Sequence, residues 1–220
     1  MLEINLEEAR RQMVDQQVHG FQVLDPDVIR VMETVPRHDY APERYRNLVY
    51  ADSTIPIGHG EVMLAPGMHG RFLQAIELKE GERVLEIGTG SGYLTACLAA
   101  LGGRVRSVDI HEDFIREAGA RLEKGGFGGV ELACEDAHVL EDGDTTWDVI
   151  VVTGSLPLRE ESFPRRLAGG GRLLWIVGEP PAMLVELVTR VGEEEWQQEG
   201  QFETVVPALR GTERPRRFEF

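Results

Sequence analysis

The sequence predicts an α/β fold: a doubly wound, mostly parallel sheet with an N-terminal helical cap. Three observations carry this expectation. From residue 81 onward, short apolar runs alternate with amphipathic stretches of helical period, the signature of successive βα units. The first of those runs ends in a cluster of glycines and opens directly into a helix, an arrangement that brings backbone close to a ligand at the carboxyl end of a strand. The chain is 220 residues long, 42% hydrophobic and 28% charged, which suits one large globular unit and excludes a chain dominated by disorder.

Taken in order, Asn5 followed by Glu8 is a capping-box pattern, and Leu6, Ala9, Met13 and Val18 follow at near-helical spacing. A second helix starts with Asp25 as N-cap and Pro26 in the first turn, carries Val28, Ile29, Met32 and Val35, and stops at Pro36. A polar and aromatic loop over 37–52 leads into residues 53–58, and a third helix opens at Pro66 with Phe72, Leu73, Ile76 and Leu78 on one face. Strands are expected over 83–87, 104–109, 130–133, 147–153 and 172–177, with helices over 93–101, 112–124 and 160–168 between them. Segments 183–191 and 203–209 finish the sheet, at least partly antiparallel. No repeat or flexible linker interrupts the chain, so 1–80 is expected to pack as a cap on an 81–220 core within one folding unit.

The formal net charge is −15, and Lys79 and Lys124 are the only lysines. Such a surface repels phosphate backbones, which argues against nucleic acid as a partner. No apolar run approaches the roughly 18 residues of a membrane-spanning helix, and the charged start lacks a signal core, so a cytoplasmic location away from membranes is expected. Cys97 and Cys134 read as buried thiols of a reducing compartment, and Trp147 and Trp175 as core residues. His38 and His69 have no Cys or acidic neighbour at ligand spacing, so no metal is assigned. The basic stretch 214–217 reads as a solvated tail.

The sharpest local signal is VLEIGTGSGY at 84–93. A phosphate-binding P-loop would need Gly-Lys-Ser/Thr, and no lysine is present. A dinucleotide fingerprint would place its third glycine where Tyr93 stands. The spacing is instead G-x-G-x-G, with Glu86 two residues ahead of Gly88. This resembles motif I of the class I S-adenosylmethionine-dependent methyltransferases. The resemblance implies that Gly88, Gly90 and Gly92 lay backbone against the methionine and ribose of the cofactor, with Glu86 as negative charge near its ammonium and sulfonium. Asp109, at the end of the next strand, is placed to accept from the ribose hydroxyls and Asp136 from the adenine amino group. Thr89, Ser91, Ile110 and Ala137 complete the expected cofactor contacts.

The flanking segments narrow the resemblance. VPRH at 35–38, IPIGHG at 55–60, Pro66, the 84–93 loop and VVP at 205–207 form an ordered series similar to the protein-L-isoaspartate O-methyltransferases, across most of the chain. Membership implies a Rossmann-like methyltransferase fold, in which 1–80 includes the substrate-side segment. It also implies methyl transfer from S-adenosylmethionine to the α-carboxylate of isoaspartyl residues in damaged protein, giving an ester that closes to a succinimide. The substrate side departs from the pattern. Where the family reads G-Q-T-I-S-Q-P, residues 60–66 read GEVMLAP, so Val62 replaces the threonine and Leu64 the serine usually assigned to catalysis. The usual Ala-Ala-Pro is Gly-Ser-Leu-Pro at 154–157. The catalytic residue is therefore unassigned. Ser53, Thr54, His59, Thr153 and Ser155 are the polar groups in segments that border the expected pocket, and Glu61 would repel a carboxylate substrate if it points inward. A different small-molecule or peptide acceptor, or a catalytically weak cofactor-binding protein, are the alternatives that this departure motivates.

Overall fold

The computed structural model describes residues 5–140, 143 and 145–212. Helix α1 (Leu6–Met13) is capped by Asn5, whose side chain accepts from the Glu8 amide at 3.2 Å. Its winding then loosens through a π turn at Val14–Val18 and tightens at His19–Phe21, so Val18 belongs to a continuation rather than to the α-helix itself. Helix α2 (Pro26–Thr34) begins as expected, with the Asp25 carboxylate accepting from the Asp27 and Val28 amides. A two-stranded hairpin of β1 (Ile55–Gly58) and β2 (Glu61–Met63), not anticipated from the sequence, precedes α3 (Pro66–Ile76). Leu78 falls beyond α3 because Glu77, at φ +45°, ends the helix.

The main sheet contains β3 (Arg83–Ile87), β4 (Arg104–Asp109), β5 (Glu131–Cys134), β6 (Trp147–Leu156), β7 (Leu167–Glu179), β8 (Ala182–Gly192) and β9 (Glu195–Thr204). Their order across the sheet is β5, β4, β3, β6, β7, β8, β9. The first five neighbours run parallel, and β7, β8 and β9 pair antiparallel. Helices α4 (Tyr93–Ala100), α5 (Glu112–Lys124) and α6 (Ser162–Arg165) fall between strands. The chain builds outward from β3 through β4 to β5 and then returns to add β6 on the other side of β3. That reversal opens a crevice at the carboxyl ends of β3, β4 and β6.

Side chains leave the sheet alternately. Val84, Val149, Val151 and Leu174 join the core that also holds Met13, Val14, Val28, Val31 and Met32 of the cap. Their neighbours Leu85, Ile150, Val152 and Leu173 fill the opposite face with Trp147 and Trp175. The cap thus shares one continuous core with the sheet.

Three expectations need correction. The helix expected over 160–168 shrinks to Ser162–Arg165, because Leu167 already pairs with Trp147 in the sheet. The last strand is Glu195–Thr204 rather than 203–209; its polar residues suit an exposed sheet edge and hid its character. Cys97 is buried, but Cys134 is exposed at the end of the short edge strand β5. The basic stretch 214–217 lies outside the described residues. No helix among the described residues is long and apolar enough to cross a membrane.

Candidate functional site

A pocket opens at the crevice. Its walls include the loop after β3, the ends of β4 and β6, the residues after β5, the β1–β2 hairpin and the segment Pro207, Ala208, Leu209 and Arg210. Of the residues expected to meet a cofactor, Glu86, Gly88, Thr89, Gly90, Ser91, Asp109, Ile110, Asp136 and Ala137 all line it. Gly92 stands one step behind: at φ +83° it caps α4, and a Cβ there would lie 3.0 Å from that of Ala118. Gly88 and Gly90 also have positive φ, +95° and +50°. A Cβ on Gly88 would collide with the Thr153 hydroxyl, and one on Gly90 would lie 3.1 Å from Ile57 of the hairpin. Glycine is required here by both conformation and space.

The loop is held by its own polar groups. Asp109 accepts from the Gly90 amide at 2.9 Å through one oxygen and from the His111 amide at 3.0 Å through the other. Asp136 accepts from the His138 amide at 2.9 Å. Beneath the loop Glu86 is fully buried and accepts from Thr95 and Ser107 hydroxyls at 2.5 and 2.7 Å, both on Oε2. Because Ser107 gives its hydrogen to Glu86, Thr89 donates to Ser107 at 2.6 Å. Oε1 of Glu86 is buried with no partner among the described residues. Burial pushes this carboxyl up to about 7, with the nearby Asp109 charge adding to the shift and the two hydroxyls opposing it.

The opposite wall is apolar where the family pattern carries hydroxyls, as Val62 and Leu64 in the sequence imply. Leu64 and Met63 are buried in the core, and both line the pocket with Val62. Behind them, Arg37 of the VPRH motif is fully buried, with no carboxylate partner among the described residues. It donates to the Val49 carbonyl at 2.7 Å, to His69 Nδ1 at 3.1 Å and to the Leu64 carbonyl, and lies over the Tyr93 ring. Burial lowers its guanidinium to about 10. Burial, then the adjacent Arg37 charge, holds His69 well below the ordinary imidazole value. Since arginine can only donate, the proton of the neutral His69 ring sits on Nε2. The sequence reading missed His69 and Arg37 as site residues; the VPRH motif was the available signal.

The candidate polar groups on this side are dispersed. Ser53 and Thr54 are exposed ahead of β1 and are not brought to the pocket. Thr153 lines it, but its hydroxyl is 3.0 Å from both the Ile87 and Gly88 carbonyls and serves to hold the loop. Ser155 is buried, and its amide donates to the Pro207 carbonyl while its own carbonyl accepts from the Leu209 amide. Those two bonds bring Arg210 to the rim. Arg210 pairs with Glu61 at 3.2 Å and donates to the His59 carbonyl at 2.6 Å, so the anion expected to repel an acceptor is offset by a cation from far along the chain. His59 sits at the hairpin tip, outside the lining, with φ +53° and its ring on Asp113.

Comparison with known proteins gives the same picture. A family model described as protein-L-isoaspartate(D-aspartate) O-methyltransferase (PCMT) matches residues 8–212. Protein-L-isoaspartate O-methyltransferase 1 of Rhodopseudomonas palustris is 40% identical over 169 residues, covering 77% of this chain and 69% of the relative. The Methylorubrum populi protein-L-isoaspartate O-methyltransferase is 34% identical over 205 residues, 92% of this chain and 96% of its own. A crystal structure of a putative protein-L-isoaspartate O-methyltransferase from Plasmodium falciparum, in complex with S-adenosyl-L-homocysteine, shares the fold with a TM-score of 0.80. It has 22% identity and covers 94% of this chain and 99% of that one. Matched from the cap to the strip that closes the pocket, the chain belongs to the protein-L-isoaspartate O-methyltransferase family.

Proposed function

We propose that this protein methylates the α-carboxylate of L-isoaspartyl residues in proteins or peptides, using S-adenosylmethionine. The observation that carries the reading is one pocket in which a glycine loop and its acidic partners face the 61–64 segment held by Arg37. The residues fit the cofactor. Gly88, Thr89, Gly90 and Ser91 would present backbone to its methionine and ribose, Asp109 would accept from the ribose hydroxyls and Asp136 from the adenine amine, with Ile110 and Ala137 in the same lining. The unpartnered Oε1 of Glu86 suits a ligand that carries positive charge. When bound, S-adenosylmethionine supplies a methyl group made electrophilic by its sulfonium.

The protein's own contribution is placement. An aspartyl-type carboxylate, with a reference pKa of about 3.9, is already ionised near neutral pH, so no side chain has to remove a proton. Val62, Met63 and Leu64 keep water from the reacting oxygen, and the fixed Leu64 carbonyl sets where that wall stands. Arg210 neutralises Glu61 at the rim, and His69, held by Arg37, forms part of the lining. The acceptor is a protein or peptide met in the cytoplasm; the net charge of −15 disfavours nucleic acid.

Leu64 supports a second reading, in which the acceptor is another carboxylate or transfer is weak, because leucine cannot orient a carboxylate by hydrogen bonding. Radiolabelled methyl transfer to isoaspartyl and normal aspartyl peptides separates the two. Under the first reading, label enters the isoaspartyl peptide alone, and Leu64→Ser, with or without Val62→Thr, raises turnover by up to about 10², the scale of correcting a misplaced reacting group. A variant that stays silent on isoaspartyl peptide while the wild type labels another acceptor would reject isoaspartyl repair.

A further inference from the structure

We propose that His59, His111 and Asp113 form a transition-metal site of the zinc class that fastens the β1–β2 hairpin to the start of α5. The three residues are far apart in sequence and meet beside the cofactor pocket. His59 stands at the hairpin tip, His111 is the N-cap of α5, and Asp113 lies in its first turn. Each offers one ligand atom, and these atoms all lie within 4.8 Å of one another. The two imidazoles stack with centroids 4.0 Å apart, and His59 Nε2 is 2.9 and 3.1 Å from the oxygens of Asp113. His111 adds an independent observation: its Nε2 is buried with no hydrogen-bond partner among the described residues, an unmet need that a ligand would satisfy.

Two imidazoles and one carboxylate suit Zn²⁺ or Co²⁺, whereas Mg²⁺ and Ca²⁺ take oxygen ligands. Bonds of about 2.0–2.1 Å place tetrahedral ligands about 3.4 Å apart, so the His59–Asp113 pair at 2.9 Å must open slightly while the longest separation, no more than 4.8 Å, closes by up to about 1.4 Å. Swinging the rings out of their parallel stack accomplishes this and makes their lone pairs converge. His59 and Asp113 are about two-fifths exposed, which leaves their side chains room to turn. A strongly anionic protein also concentrates dications near its surface. The bound ion takes the place of the His59 to Asp113 hydrogen bond and leaves a coordination position for water.

The test uses the full chain, freed of metal by a chelator and titrated with CoCl₂ and then ZnCl₂. One Co²⁺ per chain is expected, with visible ligand-field absorption that zinc abolishes, and zinc should raise the melting temperature while Mg²⁺ does not. His59→Ala and His111→Ala should each weaken binding by at least about 100-fold, the upper end of what loss of an outer-sphere partner costs. Asp113→Asn tests the third ligand with little change of shape, and each variant's own melt reports its folding. His19→Ala, an exposed imidazole away from the cluster, should bind as the wild type does. Absence of stoichiometric cobalt binding would overturn the proposal. So would wild-type affinity in the His59 and His111 variants, which would make uptake a general property of the acidic surface.

Discussion

The two walls of the pocket are built in opposite ways. On the cofactor wall the groups that face the ligand come from a few short segments that hydrogen-bond to each other: Asp109 holds Gly90, Thr153 holds Ile87 and Gly88, and Thr89, Ser107 and Glu86 form a chain. The acceptor wall is assembled from the hairpin, the buried Arg37 behind it, and Leu209 and Arg210 from the far end of the described chain. The first wall, assigned above to a fixed small molecule, is held by local bonding. The second depends on long-range contacts, so its side chains can be exchanged without disturbing the loop. Leu64 in place of a serine is an exchange of that kind.

The sharpest way to break this contrast is to attack the rigid wall. Gly90→Val places a branched side chain at φ +50° against Ile57 and in the ligand's space, so cofactor affinity should fall by more than about 100-fold in calorimetry. Retained binding would show that the loop is less confining than its backbone indicates.

Glu86 gives the next largest effect, through pH. The unfolded chain releases this proton near the ordinary carboxyl value of 4.5, and the folded protein keeps it until about 7. Stability of the ligand-free protein should therefore fall as pH rises between those values, by up to about 3 kcal/mol from this group, and level off above them. A cationic cofactor favours the ionised carboxylate, so its stabilising effect should grow across the same interval. Glu86→Gln should flatten both slopes in melts run from pH 5 to 8; unchanged slopes would mean another group titrates.

Asp109→Ala should weaken cofactor binding by about 1.5–3 kcal/mol, the scale of hydrogen bonds to a charged group, and shrink the cofactor-induced melting shift. An unaltered shift would reduce Asp109 to a brace for the Gly90 and His111 amides. On the assembled wall, Arg210→Ala should cost only about 0.2–1 kcal/mol, because the Arg210 half of its pair with Glu61 is exposed to solvent. That loss should appear in acceptor KM while cofactor affinity stays put. If cofactor affinity fell equally, the two walls would not be separable.

What the sequence disclosed follows the same division. The strands from β3 to β8, the caps at Asn5 and Asp25, and the glycine loop after β3 were readable because each is specified by neighbours within one segment, and nine of the ten residues expected to meet a cofactor line the pocket at the crevice. The cap of Asn5 on Glu8 spans four residues, and the glycine loop ten. Arg210 beside Glu61, and His59 against His111 and Asp113, are juxtapositions across the fold that leave no spacing to read. Strand β9 was misplaced because an edge strand need not be apolar, and the identity of its partner, not its composition, makes it a strand.

The strip from Pro207 to Arg210 also bears on how the protein is made. A chain leaves the ribosome from its N-terminus, so the cap, the hairpin and the glycine loop all emerge before the residues that close the rim. Until Leu209 docks on Ser155, Arg210 has no anchor beside Glu61 and one side of the cleft stands open. The pocket is therefore complete only late in biosynthesis. A chain interrupted ahead of Pro207 would keep the whole sheet and every acidic contact while lacking the strap that finishes the pocket.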